Sequence, residues 1–341
     1  MKERLFLFCL ILVQTVFAQE RLSIADIQKI NSKSLNAERE IWVNLPESYN
    51  NSQLQKVDYP VIYVLDEESN FTFLTGVVNK FQNGHYPEIP ESIIVGITNK
   101  NGDRTKDFTY QNDVNFLNFI QQELFPFMKD HYRINDFKLL IGHSLGGYFA
   151  LKTLYNHPTV FNGYVAHDPS IWYNNKELLG LFQNLSTHQF NNRFLMITQV
   201  GQGQNVDHLR EHYQSIKILD DRLRKANNQT FYYNYKQYND EEHGSVPMIG
   251  SIDYLRWQFE GYRINIKEIP TQPQLINETF EAFSKRMNFP FSPTESYINL
   301  VANYLVKQNK LDLAKQFYEQ NKTNFPQSKQ ATEALEKLRY K

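Results

Sequence analysis

Seven short runs rich in β-branched and aromatic residues recur along the 341-residue chain, at 41–45, 61–65, 93–98, 139–142, 163–167, 194–200 and 230–238. Segments of helical period separate several of them, at 114–128, 148–156 and 206–226. Parallel neighbours need a long crossover, so strands alternating with helices specify a mostly parallel sheet with helices on both faces, the α/β class. Pro60 and the polar stretch 50–56 punctuate the first connection.

Past Tyr262 the strand-like runs cease, and Pro270, Pro273, Pro290 and Pro293 interrupt a helical remainder. The expected organisation is a main domain over 19–265 and a helical extension over 266–341, in keeping with single cores that stop growing near ~250 to 300 residues. Within 295–331 two apolar-periodic helices are visible, one carrying Tyr297, Leu300, Ala302 and Leu305, the next Leu313, Ala314, Phe317 and Tyr318. A turn at 308–310 joins them and Pro326 ends the pair. The pattern resembles one tetratricopeptide unit. A repeat stack needs about three units to bury a continuous core, so docking of this hairpin on the main domain is expected, with contact to a partner protein as the alternative.

The first residues read as a targeting segment: Lys2 and Arg4, an apolar run over 5–13, and Val16-Phe17-Ala18 before Gln19. A signal peptide over 1–18 and a periplasmic or secreted mature chain follow. The apolar run is shorter than the ~20 residues that span a bilayer, which disfavours a membrane span. Cys9, the only cysteine, falls inside that segment, so disulfides, thiol chemistry and Cys-ligated metal are not expected of the mature chain. Hydrophobic residues at 41% and charged residues at 21% exclude disorder and fibrous repeats. A formal net charge of -1, with Lys and Arg spread throughout, lacks the basic footprint that nucleic acid requires.

Gly142-His143-Ser144-Leu145-Gly146 matches Gly-x-Ser-x-Gly. Alone, the pentapeptide would occur by chance in about one chain in ten of this length. Its context is specific: a strand signal precedes it at 138–141 and helical residues follow from 148, the strand–turn–helix of a nucleophile elbow. The sharp turn leaves no room for bulky side chains two residues either side of the serine, which Gly142 and Gly146 satisfy. The alternative is a serine that merely caps a helix. A serine hydroxyl needs a base, and His243 lies in a polar loop directly after the strand 230–238. His208 and His212, four apart on a helix, lack a third ligand of hydrolytic-zinc spacing and read as a solvated face. No metal or organic cofactor is expected.

With these residues in view, the chain resembles the esterase family of α/β-hydrolases that includes siderophore esterases, feruloyl esterases, S-formylglutathione hydrolase and bacterial mycolyltransferases. The resemblance covers roughly residues 35–260 and rests on five ordered blocks: 59–66, Gly96-Ile97-Thr98-Asn99 with 104–108, 141–147, Asp168-Pro169-Ser170-Ile171-Trp172, and 242–247. It implies an oxyanion hole built from the backbone N–H of Leu145 and that of Glu67 or Glu68. Family members usually carry Gly where this chain has Glu67, which bears on the geometry and charge of that loop. The third triad member is expected after the strand 194–200, where Asp207 is the nearest carboxylate and Glu211 lies one turn on. Asp207 could equally cap its helix, leaving a Ser–His dyad. Arg104, Asp168 and Trp172 are expected in the pocket wall, and Arg104 could instead pair with Asp107.

The expected activity is hydrolysis of a siderophore, carbohydrate-linked or small acyl ester through an acyl-enzyme on Ser144. Acyl transfer to another alcohol is a close variant. A non-catalytic hydrolase-fold binding protein, with the helical extension as its partner surface, is the alternative of a different class.

Overall fold

The structure is a computed structural model that describes residues 22–83, 86–100, 102–109, 114–201 and 207–338. The expected signal segment 1–18 lies outside the described residues. Eight strands form one sheet in the order β1-β2-β4-β3-β5-β6-β7-β8: β1 (Asp26–Ser32), β2 (Ala37–Asn44), β3 (Tyr59–Leu65), β4 (Ile93–Ile97), β5 (Ile134–His143), β6 (Gly163–His167), β7 (Arg193–Val200) and β8 (Phe231–Tyr238). The pairings of β2 with β1 and with β4 are antiparallel, and the rest are parallel.

Every residue of β3 is buried because both sheet faces are covered. Its side chains alternate between two cores, Val61, Tyr63 and Leu65 on one side and Ile62 and Val64 on the other. β1 escapes sequence reading for the opposite reason. It is an edge strand in which only Ile30 and Ser32 are buried, so its apolar signal is faint.

The helices are α1 (Glu67–Gln82), α2 (Arg104–Phe108), α3 (Asn115–Asn118), α4 (Phe125–His131), α5 (Leu145–Asn156), α6 (Tyr173–Leu181), α7 (Asp207–Lys225) and α8 (Val246–Gln258), followed by α9 (Leu275–Met287), α10 (Glu295–Lys307), α11 (Leu311–Asn324) and α12 (Lys329–Leu338). The single helix expected over 114–128 is divided by a π-helical segment, Phe119–Leu124. Pro126 lacks the N–H that would close the next α-helical turn, which accounts for the break.

On one face, α5 and α7 contribute Tyr148, Phe149, Leu151, Ile216 and Leu219 to the core. The other face is covered by α1, α8 and the C-terminal helices, with Phe71, Leu74, Leu255, Phe280, Phe283, Val301 and Phe317 in one continuous cluster. Phe137 of β5 meets Phe289 and Phe291 at ring-centroid distances of 5.3 and 5.0 Å. Burying one such ring is worth roughly 1.5–3 kcal/mol. Glu295, 4% exposed, accepts the Gln55 N–H at 2.8 Å and the Ser328 hydroxyl at 2.5 Å. The apolar stripes of α10 and α11 are turned inward, with Val301, Leu305, Ala314 and Phe317 in the same buried cluster.

Parallel strands carry their C-terminal ends to one edge of the sheet, where ligand sites of open α/β sheets form. Asp66, Ser144, Asp168 and Gly201 follow β3, β5, β6 and β7 at that edge.

Candidate active site

Ser144 stands between the end of β5 and the start of α5 with φ 57° and ψ -116°, a strained backbone for a residue with a side chain. The turn closes through Ser144 N–H to His167 O and Ser170 N–H to Ser144 O, both 3.0 Å. A Cβ on Gly142 would lie 2.2 Å from the Gly146 carbonyl oxygen, so the elbow admits no side chain there. Ser144 occupies the N-cap position without making a side-chain cap. Its Oγ lies instead 3.1 Å from Ser170 Oγ.

The loop between β8 and α8 brings His243, half exposed, to Asp168, with Nδ1 2.6 Å from Oδ2. Asp168 follows β6 in a left-handed conformation, φ 40°, and is fully buried. Its N–H donates to Thr198 O at 2.9 Å, and its Oδ1 accepts the Val200 N–H at 3.3 Å. Burial works to raise its pKa, but hydrogen bonds from His212 and His243 outweigh that and hold the carboxyl well below the usual carboxylate range.

His243 thus meets a carboxylate other than those expected after β7. The carboxylate at His243 is that of Asp168, expected only as a pocket neighbour, one strand earlier than the loop after β7. Glu211 faces Lys176 at 2.9 Å and is exposed. Asp207 opens α7, and its side chain lies outside the described residues. The physical reason is range: Asp168 and His243 lie 75 residues apart in the chain, and the loop after β6 meets the loop before α8 only where the folded sheet gathers both at one edge.

The solvated reading of His212 is also overturned. Its side chain is 14% exposed, and its Nε2 lies 3.0 Å from the same Asp168 Oδ2. The His143 ring lies 4.4 Å from that of His243. Burial, reinforced by that neighbour, pushes the pKa of His143 down to about 4. His167 is fully buried, with Nδ1 2.9 Å from Thr198 Oγ1 and Nε2 3.1 Å from Ser251 Oγ, so it ties α8 to the sheet.

On the opposite side, Asp66 adopts φ 54° at the N-cap of α1. Arg104 clamps it bidentately at 2.6 and 2.8 Å, and the Asn99 amide donates to it at 2.8 Å. Arg104 therefore pairs with Asp66, while Asp107 pairs with the buried Arg39 at 2.7 Å. Glu67 and Glu68 open α1, where first-turn amides have no acceptor within the helix. The same holds for Leu145 at the start of α5.

Glu67 is 1% exposed and packs over Gly96, where an added Cβ would sit 2.6 Å from its own. Glu68 accepts the Thr98 hydroxyl at 2.9 Å and lines an open cleft of about 470 Å³ with Asp66, Asn99, Lys100, Arg104 and His143. Trp172, 46% exposed, stands two residues beyond Ser170. Its position was legible in the Asp168–Trp172 block, but the partnership of Asp168 with His243 was not.

The family described as "Putative esterase" matches residues 32–258. Ferri-bacillibactin esterase BesA of Bacillus subtilis is 26% identical over 250 residues, 65% of this chain and 84% of that protein. Siderophore triacetylfusarinine C esterase of Aspergillus fumigatus is 26% identical over 215 residues, 55% of this chain and 73% of that protein. Among solved structures, an IroE-like serine hydrolase from Shewanella oneidensis superposes with a TM-score of 0.77 at 25% identity, covering 88% of this chain and 99% of that one. A match over well over half its length, on this fold and around this serine, means that the chain belongs to the esterase family of α/β-hydrolases and is a serine esterase.

Proposed function

We propose that the chain hydrolyses siderophore-type esters by a Ser144–His243–Asp168 mechanism. The observation that carries the mechanism is the 2.6 Å contact between His243 Nδ1 and the buried Asp168 carboxylate, at the same sheet edge as a serine in a left-handed elbow. With Nδ1–H held by Asp168, the lone pair of His243 is on Nε2 and accepts the Ser144 proton as Oγ attacks the ester carbonyl. Ser144 Oγ rotates from Ser170 towards His243 in that step, a tightening common on substrate binding. The N–H groups of Leu145 and of Glu67 or Glu68 receive the oxyanion, each worth roughly 3–4 kcal/mol in the transition state. His243 then protonates the leaving alcohol, and water releases the acyl group by the reverse path. Arg104 holds Asp66 and thereby the loop that presents the α1 amides, so its role is in positioning.

The substrate class is supported by the relatives, whose names are those of ferri-bacillibactin and triacetylfusarinine C esterases, and by the exposed Trp172 ring, two residues beyond the Ser170 whose hydroxyl meets that of Ser144. Export directed by residues 1–18 belongs to the same reading, as does a buttressing role for residues 266–341. Among the described residues no helix is long and apolar enough to cross a membrane.

The test is a panel of ester siderophores, iron-loaded and iron-free, beside p-nitrophenyl acyl esters, with Ser144→Ala as control. Turnover of a siderophore ester that vanishes in the serine variant supports the proposal. Turnover confined to simple esters overturns the substrate class, and turnover retained in Ser144→Ala overturns the mechanism. N-terminal sequencing of the chain from the extracytoplasmic fraction checks cleavage before Gln19.

A further inference from the structure

Three elements bring three metal-competent side chains together beside the nucleophile: Asp168 after β6, His212 on α7 and His243 before α8. Their donor atoms all lie within 4.8 Å of one another, Oδ2 being 3.0 Å from His212 Nε2 and 2.6 Å from His243 Nδ1. The hydrolytic mechanism takes its proton through one histidine on this carboxylate, and His212 is a second imidazole on the same oxygen. His212 Nδ1 is buried without a hydrogen-bond partner, so that nitrogen is not committed to an acceptor that would fix the tautomer.

Two imidazole nitrogens and one carboxylate suit a borderline divalent ion. Metal–ligand distances of 2.0–2.2 Å separate tetrahedral donors by about 3.3 Å. The present spacing is somewhat short on two sides, and a small outward swing of half-exposed His243 opens it.

We propose that Asp168, His212 and His243 form a binding site for a divalent transition-metal ion of the zinc class, and that its occupation switches the esterase off. The ion takes the lone pair of His243 Nδ1 and of His212 Nε2 together with a carboxylate oxygen of Asp168. Each neutral imidazole moves its N–H to the other ring nitrogen, so no proton is lost overall. His243 Nε2 then carries the proton and has no lone pair for the Ser144 hydroxyl. Metal binding stands independently of the catalytic reading, and the inhibitory half rests on it.

The experiment is calorimetric titration of the full chain with Zn²⁺, alongside fluorophosphonate labelling of Ser144 with and without the ion. The expected result is one Zn²⁺ per chain that blocks labelling, with labelling restored by a chelator. Affinity is expected to fall by at least about tenfold to a hundredfold in His212→Asn, since even outer-shell partners of metal ligands carry that much. His243→Gln, at a half-exposed position, provides the same test if His212→Asn does not fold. Zinc affinity unchanged in both variants, or no binding to the unaltered chain, overturns the site. Binding that leaves labelling intact overturns the inhibition. Absence of labelling before any metal is added counts against the catalytic reading, and the calorimetry still decides the site.

Discussion

Replacing Glu67 with glutamine removes a buried carboxyl group from the start of α1, where the proposed oxyanion amides lie. Both of its carboxyl oxygens are buried without hydrogen-bond partners. Burial first, and Glu68 second, push its pKa up from 4.5 to about 8. The unfolded chain releases this proton near the ordinary glutamate value, whereas the folded chain keeps it until pH 8 is approached. Because the folded value is raised, the contribution to stability is fully present below the unfolded pKa and is lost as pH rises through the folded one. One pH unit across that window corresponds to about 1.4 kcal/mol, so the interval bounds the loss at about 5 kcal/mol.

Glutamine is nearly isosteric, stays neutral and leaves the backbone N–H in place. Relative to the unaltered chain, Glu67→Gln is therefore expected to gain stability by roughly 3 to 5 kcal/mol between pH 4.5 and pH 8. Urea unfolding followed by tryptophan fluorescence at pH 5, 6, 7 and 8 measures the difference directly. Two stability curves that fall in parallel would show that Glu67 ionises normally in the folded chain, and the reasoning from burial would fail.

Asp168→Asn is expected to lower kcat on p-nitrophenyl esters by about 10³ to 10⁴, as loss of the orienting acid does in serine triads. Asp207→Asn and Glu211→Gln should change it by no more than about twofold, the scale of substitutions away from a critical contact; a large loss in Asp207→Asn would return the acid to the loop after β7. Gly142→Ala places a methyl 2.2 Å from the Gly146 carbonyl oxygen and is expected to abolish Ser144 labelling or soluble expression. Gly76→Ala, in open space within α1, should instead raise stability by up to about 1 kcal/mol in thermal unfolding. Trp172→Ala is expected to raise KM about two- to tenfold for aryl esters and less for acetyl esters, from the loss of ring contact; equal effects on both would remove Trp172 from the pocket.

The elements around the site differ in how far the sequence reveals them, and the difference is one of range. The elbow is local: a strand, Gly142-His143-Ser144-Leu145-Gly146 and a helix are contiguous, and the steric demand for glycine is met within five residues. The inner strands β3 to β7 are visible because burial on both faces makes each a continuous apolar run, whereas the edge strand β1 has little to bury and α1 is obscured by the polar residues of its first turn. By contrast, the polar contacts around the site join residues far apart in the chain, Asp66 with Arg104, Asp107 with Arg39, and Asp168 with His243.

By itself, the sequence determined the α/β class, the position of Ser144, the loop that carries His243 and the helical character of the C-terminal remainder. Only the tertiary structure decided which carboxylate meets His243, that His212 shares it, and that α9 to α12 close one face of the sheet. Periodicity and turn sterics act between neighbours in the chain, whereas those contacts join segments far apart in it, 44 residues for Asp168 with His212 and 75 for Asp168 with His243, and form only when the folded sheet brings its loops and flanking helices together.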